Sequence, residues 1–289
     1  MTPGLGPAVA AALGAPVRAV TPVRGGCIAD ASRVDLADGR TVFAKSAAGL
    51  PPGLLDVEAE GLRWLGDVPG VPVPAVVAAT ADCLVLDWIA PGARTGATDE
   101  RLGRALATLH AAGAPRCGWH RDGFIGRLPQ RNTPGGDDWG RFWIGHRVAP
   151  LVAAAVGQGA LDSRAPALVD RLAARLPEIA GPPEPPARLH GDLWSGNVHV
   201  GAGGGPWLVD PAAYGGHREV DLAMLHLFGA PGPAFAPAYD EAFPLAEGWR
   251  DRLPLWQLEP LLTHTVMFGG GYGASALAVL DRFAGTARR

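Results

Sequence analysis

The sequence predicts an α+β chain in two parts, an antiparallel sheet within residues 1–89 and a larger, mainly helical region over 90–289. Three observations predict it. Residues 18–89 hold short β-rich runs punctuated by Gly and Pro. From Asp99 onward, apolar residues recur three and four positions apart, the period of a helix. Between the helical runs lies one compact polar stretch, His190-Gly191-Asp192-Leu193-Trp194-Ser195-Gly196-Asn197, followed by Asp210 in Leu208-Val209-Asp210-Pro211.

Residues 2–17 carry no charge. They lack the basic start of a secretory segment, and Pro3, Pro7, Gly4, Gly6 and Gly14 interrupt them, so a short Ala-rich helix is expected. Residues 18–45 read as three strands. Val20 to Val23 is the first, Ala31 to Leu36 alternates, and Thr41 to Lys45 follows the Asp38-Gly39 hairpin signal. Gly25-Gly26-Cys27 lies between the first two strands, where backbone N–H groups can approach a phosphate. Such a pair alone is a plain turn; its position ahead of Lys45 gives it weight.

A helix is expected next, with Leu54, Val57, Leu62 and Leu65 on one face. Glu58 and Glu60 both qualify as its inward acid, and Glu58 is favoured because it shares the face of Leu62 four residues on. Two further strands, over 71–77 and 83–89, end at Pro91-Gly92. Asp99 is placed to cap a helix over 100–112, striped by Leu102, Leu106 and Leu109, with His110 as a packed histidine. The stretch from Cys117 holds Trp119, Phe124, Trp139, Phe142 and Trp143, which suit either a sugar site or satellite core. Helices over 138–156 and 163–179 follow. Past Asn197, a hairpin turns at a flexible glycine tip, 201–205. Asp221 is expected to cap a helix over 222–228 and to brace the backbone of the 190–197 loop. Two closing helices are expected over 233–250 and 253–284.

Composition bounds the function. The net charge is −3 and no basic run exists, so nucleic acid has nothing to grip. No apolar run is long enough to span a bilayer. Cys27, Cys83 and Cys117 are widely spaced and odd in number, which favours a reducing cytoplasm over a disulfide framework. Of 25 basic residues only Lys45 is a lysine, and Asn132 and Asn197 are the only asparagines.

The polar stretch suits phosphoryl transfer. Asp192 can take the proton of an attacking hydroxyl, Asn197 and Asp210 can hold a Mg2+ ion bridging ATP phosphates, and Lys45 can reach the α/β-phosphates with Glu58 as its ion-pair partner. A metal site of His190, His199 and Asp192 is rejected because their spacing suits no shared helix face.

The Asp-x-x-x-x-Asn spacing resembles the catalytic loop of protein kinases, with Gly191 where Arg is usual. The strand-to-linker junction resembles a kinase hinge, whose backbone near Asp87 and Ile89 would receive adenine. More specifically, the chain resembles the fructosamine kinase (ketosamine-3-kinase) family, a branch of the aminoglycoside-phosphotransferase-like fold. The carrying stretches are Gly25-Gly26-Cys27-Ile28, Phe43-Ala44-Lys45, Phe124-Ile125-Gly126-Arg127-Leu128-Pro129-Gln130, Asp137-Asp138-Trp139, the 190–197 loop, Asp210-Pro211-Ala212-Ala213-Tyr214-Gly215 and Phe268-Gly269-Gly270-Gly271-Tyr272. The resemblance implies a protein-kinase-like bilobal fold, with a nucleotide-binding lobe over 1–89 and a catalytic and substrate-binding lobe over 90–289. It implies ATP-dependent phosphorylation of the 3-hydroxyl of a ketosamine, which then sheds its sugar. Trp194 and Tyr214 would line the sugar site. A small-molecule substrate, no nucleic acid or membrane partner, and a monomer or homodimer are expected. Ala29, His120 and Gly123 depart from residues common in the family and bear on substrate choice. Cys27 suits either a redox-sensitive thiol or a small loop residue.

Two rivals stand beside this reading. An aminoglycoside kinase would want an acidic pocket, whereas residues 90–289 hold 19 acids and 19 arginines. A non-catalytic nucleotide-binding regulator would not need the full set of catalytic residues.

Overall fold

The computed structural model describes residues 4–23 and 29–285. The chain opens with α1 (Leu5–Leu13), β1 (Val17–Pro22), β2 (Ala31–Leu36), β3 (Thr41–Ser46), α2 (Leu54–Gly66), β4 (Val76–Ala79) and β5 (Cys83–Asp87). It continues through α3 (Gly96–Ala111), β6 (Gly123–Ile125), β7 (Leu128–Gln130), α4 (Trp139–Trp143), α5 (Ala149–Gly157) and α6 (Ala165–Ile179). Then come β8 (Ala187–Leu189), β9 (Val198–Val200), β10 (Pro206–Leu208) and β11 (Tyr214–Gly216). Helices α7 (Glu219–Leu227), α8 (Phe235–Ala242), α9 (Trp249–Trp256), α10 (Leu258–Phe268) and α11 (Tyr272–Ala284) close it. Among the described residues no helix is long and apolar enough to cross a membrane.

Contacts divide the chain into two compact units. The first gathers Met1–Leu109, Ser195–Ala213 and Pro231–Phe243; the second gathers His110–Trp194, Tyr214–Ala230 and Pro244–Arg289. Thus the stretch bearing Asn197 and Asp210 joins the unit that begins the chain.

The first unit is built on an antiparallel sheet of order β1-β2-β3-β5-β4. Alternation in β2 and β3 sends Val34, Leu36, Val42 and Ala44 inward, where Leu5 and Val9 of α1 cover them. Each such aliphatic side chain taken out of water contributes about 1.5–3 kcal/mol. Gly39, at φ 90°, makes the turn between β2 and β3. Helix α2 buries Leu55, Glu58, Leu62 and Leu65. Its Gly61 faces Pro211 and Ala213, so closely that an added Cβ would lie 3.3 Å from that of Ala213.

The second unit packs helices around one apolar core that includes Trp143, Leu172, Tyr214, Trp256 and Leu262. Phe142 and Trp143 lie in this core, with Trp119 and Trp139 packed against it. For these four aromatics the satellite-core alternative holds; Phe124 is half-buried on β6. Two buried acids serve the indoles: Glu259 accepts from Trp143 Nε1 at 3.0 Å and Glu219 from Trp256 Nε1 at 2.8 Å. Asn132, 1% exposed, accepts from Arg147 Nη2 at 2.7 Å, so one of the two asparagines has a structural place.

Several expected elements differ in extent; the strand expected over 71–77 is β4 at Val76–Ala79. Helix α3 starts at Gly96 rather than after Asp99, because Thr98 Oγ1 accepts the Thr95 N–H at 2.9 Å and so caps the turn; Asp99 pairs instead with Arg94. The helix expected over 138–156 runs unbroken from Trp139 to Gly157, with a π-turn at Ile144–Val148 joining α4 to α5. The two closing helices are four. Phe243 leaves helical geometry at φ −150°, Gly248 at φ 75° opens α9, and Gly269 and Gly270 at φ 65° and 64° part α10 from α11.

Candidate active site

In the first unit, Lys45 on β3 reaches Glu58 of α2 and Asp210. Its Nζ donates to Glu58 Oε1 at 2.7 Å and to Asp210 Oδ1 at 2.6 Å. Burial alone would push the Lys45 pKa down, but the two carboxylates more than reverse this and hold it above the ordinary lysine value. The lone lysine is thus a fixed cation, 6% exposed. Glu58, rather than Glu60, meets it, as the helix period requires.

Asp210 is the only non-glycine at positive φ among the described residues, at 57°. Asp tolerates this left-handed conformation better than most residues. The segment is held in register by the Val209 N–H, which donates to Asn197 O at 3.0 Å, and by packing of α2 on Pro211 and Ala213. Asn197 closes a single 3-10 turn, Ser195–Asn197, and is 6% exposed. The Asp210 side chain keeps 38% exposure despite its bond to Lys45.

The donor chemistry of Asn197 and Asp210 fits Mg2+, since amide and carboxylate oxygens are hard ligands. Among the described residues no group of three His, Cys, Asp or Glu is arranged to hold a metal. A cation there would draw on two side chains plus waters and phosphate oxygens, which is the habit of magnesium.

The linker after β5 belongs to the same unit. Asp87 N–H donates to Ala75 O at 3.0 Å, and Ile89 O lies 3.0 Å from His199 Nε2. The hairpin carrying Asn197 is tied along this linker. Ala202 N–H donates to Ala90 O at 2.7 Å, Gly92 N–H to Val200 O at 2.8 Å, and Thr98 Oγ1 to Gly204 O at 2.7 Å. The 201–205 tip is therefore anchored and not a flexible end. Gly25, Gly26 and Cys27, expected at the phosphates, lie outside the described residues.

In the second unit, Asp192 follows β8, which pairs with β11 in the register Leu189↔Tyr214. The buried Asp221 carboxylate accepts the N–H of His190 at 2.7 Å and of Gly191 at 2.9 Å. His190 is wholly buried, and its Nδ1 accepts the Asp192 N–H at 3.3 Å. Asp221 lies within the first turn of α7 and holds this loop by its side chain. Trp194 is half-buried, edge-on to Phe228 at 6.3 Å between centroids.

Tyr214 corrects an expectation. It is 0% exposed, set in the apolar core with Arg147 over its ring at 4.2 Å, and so offers no face to a substrate. Burial pushes its phenol well above the ordinary tyrosine value. Its place in β11, paired with Leu189, makes it a support of the strand that leads into the Asp192 loop.

His110, expected as a packed histidine, is buried on the stripe of Leu106 and lies 3.2 Å from Asp221 Oδ2. One contact escaped the sequence. His199 meets the linker more than a hundred residues earlier, and no local pattern announces that.

A family model described as fructosamine kinase matches residues 7–285. The chain is 36% identical over 268 residues to a probable ketoamine kinase of Enterococcus faecium, covering 91% of this chain and 95% of that one. It is 31% identical over 277 residues to the chloroplastic protein-ribulosamine 3-kinase of Oryza sativa subsp. japonica, covering 92% and 79%. The crystal structure of a fructosamine-3-kinase candidate from Thermobifida fusca superposes with a TM-score of 0.90 at 42% identity, covering 97% and 98%. A macrolide 2'-phosphotransferase of Brachybacterium faecium, at 18% identity with 99% of each chain covered, shares the fold alone, with a TM-score of 0.62.

Proposed function

Because the chain belongs to the fructosamine kinase family, we propose that its residues divide the work of a ketosamine 3-kinase as follows. The enzyme is an ATP-dependent phosphotransferase with a ketosamine hydroxyl as acceptor. Asp192 accepts the proton of the sugar 3-hydroxyl as its oxygen attacks the terminal phosphorus; the bond to the bridging oxygen breaks and its electron pair leaves on ADP. Lys45, kept charged and aimed by Glu58, steadies the nucleotide phosphates. Asn197 and Asp210 hold magnesium, which when bound neutralises charge on the phosphates. The backbone at Asp87 and Ile89 receives adenine, Gly25, Gly26 and Cys27 cover the phosphates, and Trp194 forms a wall against the sugar. Residues 1–89 form the nucleotide lobe and 90–289 the catalytic and substrate lobe.

The observation that carries this assignment is the buried Lys45 ammonium held between Glu58 and Asp210. A structural lysine needs one partner. One clamped between a helix acid and a half-exposed carboxylate next to an amide-bearing turn is placed to meet a polyphosphate and its cation. The 3-phosphate formed on a ketosamine is prone to lose its sugar, which gives the reaction a deglycating role. We place the protein in the cytoplasm, as a monomer or homodimer.

The test is to offer glycated lysine, a ribulosamine and kanamycin with Mg-ATP, and to locate new phosphate by NMR. Phosphate on the ketosamine 3-oxygen is the expected result. Phosphate on the aminoglycoside ring, with none on either ketosamine, would overturn the assignment.

A further inference from the structure

The hairpin that carries Asn197 is also fixed to the linker that follows β5, and His199 is the side chain that joins them. Its Nε2 lies 3.0 Å from Ile89 O. A carbonyl oxygen can only accept, so Nε2 carries a proton in this contact. Around that bond the two backbones run side by side. Pro91 and Gly201 form an antiparallel bridge, flanked by Ala202 N–H to Ala90 O at 2.7 Å and Gly92 N–H to Val200 O at 2.8 Å. Contact is so close that a Cβ on Gly92 would lie 2.1 Å from Gly201 O. Only glycine lets the chains approach this far.

We propose that His199 is a positioning residue for the nucleotide base. Resting on the reading that adenine meets the linker at Asp87 and Ile89, this adds what holds that linker in place. A peptide unit is planar, so pinning the Ile89 carbonyl fixes the plane of the Ile89–Ala90 peptide and limits rotation of the linker backbone at Ile89. The linker backbone is then set before the base arrives, which lowers the ordering cost at binding. His199 lies on β9, which begins directly after the 3-10 turn that ends at Asn197, so the phosphate-side amide and the base-side linker both adjoin one short strand. Base and metal positions are thereby kept at a constant spacing.

The test compares ligands that do and do not carry a base. Affinities for a non-hydrolysable ATP analogue, the matching inosine nucleotide and inorganic tripolyphosphate, each with Mg2+, are measured for wild type, His199→Leu, His199→Gln and His199→Asn. Losing one such hydrogen bond is worth about three- to tenfold in affinity. His199→Leu is expected to weaken the ATP analogue by that factor and leave tripolyphosphate unchanged. Glutamine, whose amide nitrogen falls near the place of Nε2, restores affinity, whereas asparagine, which reaches only as far as Nδ1, does not. Should the leucine variant fail to fold, the glutamine–asparagine contrast decides the matter. An unchanged ratio of ATP-analogue to tripolyphosphate affinity in the leucine or asparagine variant would overturn the role of His199, as would equal weakening of both ligands. Wild-type protein that binds the inosine nucleotide as tightly as the adenine one would instead overturn the reading of the linker itself.

Discussion

His110 Nε2 lies 3.2 Å from Asp221 Oδ2, with both side chains closed to solvent. The same carboxylate takes the N–H groups of His190 and Gly191, so one acid on α7 ties the end of α3 to the loop that bears Asp192. Burial alone would raise the Asp221 pKa. The His110 hydrogen bond and the charges near it, with the Gly191 N–H, bring it below the ordinary aspartate value of 3.8. Asp221 is therefore ionised at neutral pH, and its charge is compensated.

Asp221→Asn keeps the shape but removes the charge and one of the accepting oxygens. Breaking one side of a buried, hydrogen-bonded pair costs about 3–5 kcal/mol. Turnover is expected to fall by roughly 100-fold, since a misplacement of about 1 Å weakens an oriented reaction by such a factor. The KM for ATP should stay close to wild type, because Asp221 touches the Asp192 loop and not the Lys45 cluster. Thermal unfolding, with steady-state kinetics over a range of ATP concentrations, checks both parts. A large rise in the KM for ATP with unchanged turnover would contradict this placement.

Lys45 gives a second prediction. The ammonium satisfies Glu58 and Asp210 at 2.7 and 2.6 Å from one nitrogen, a point-charge geometry that a planar guanidinium does not reproduce. Lys45→Arg should therefore fail to rescue, with kcat/KM for ATP lowered by about 100-fold or more. Lys45→Met should also lower the melting temperature, because Glu58, 7% exposed, is left without its counter-charge. Restored stability in Lys45→Met, Glu58→Gln without restored activity would separate the structural from the catalytic part.

The alternation of β2 and β3, the Asp38-Gly39 turn and the spacing of Glu58 to Leu62 are local patterns, and they made the sheet and the Lys45–Glu58 pair legible in the sequence. The 190–197 motif was legible for the same reason. Tyr214 was not: four residues after Asp210 in family-like sequence, it turns inward because strand pairing with Leu189 decides its side, and pairing is non-local. The division of the closing segments was hidden because packing, not propensity, sets where a helix stops. His199 and the 201–205 hairpin looked like a free tip because glycine marks close backbone approach and flexibility alike.

His217 sets a pH dependence of stability. It is stacked on Trp256 at 5.3 Å, and burial lowers its pKa below the ordinary 6.5, while Glu219 and Glu184 pull the other way. His264 is shifted in the same direction, again chiefly by burial. Well above pH 6.5 these rings are neutral in both folded and unfolded chains, and the slope begins as the unfolded chain takes up protons on the approach to that value. As pH falls below that value the unfolded chain binds the proton first, so stability drops until pH passes the folded value and the slope ends. Urea midpoints at pH 8, 6.5 and 5.5 should therefore decline in that order, and His217→Gln should flatten the lower part while leaving the His264 share. An unchanged midpoint from pH 8 to 5.5 in the wild type would refute it.

Asp192 is the sharpest test of the chemistry. Its backbone is set by β8 and by the His190 ring, which accepts its N–H, so Asp192→Asn should leave the loop in place and alter only the side chain's basicity. An amide cannot take the proton of the acceptor hydroxyl, and loss of a general base costs about 10²–10⁴ in rate. Lys45, Glu58, Asn197 and Asp210 remain intact in this variant, so affinity for a non-hydrolysable ATP analogue should match wild type. Calorimetric titration with the analogue, beside single-turnover phosphorylation of a ketosamine, reads the two quantities separately. Because the defect lies in the chemical step, it should appear in the single-turnover rate as fully as in kcat. Near-wild-type turnover would remove Asp192 as the base, and loss of nucleotide affinity in step with turnover would show a residue acting on binding instead.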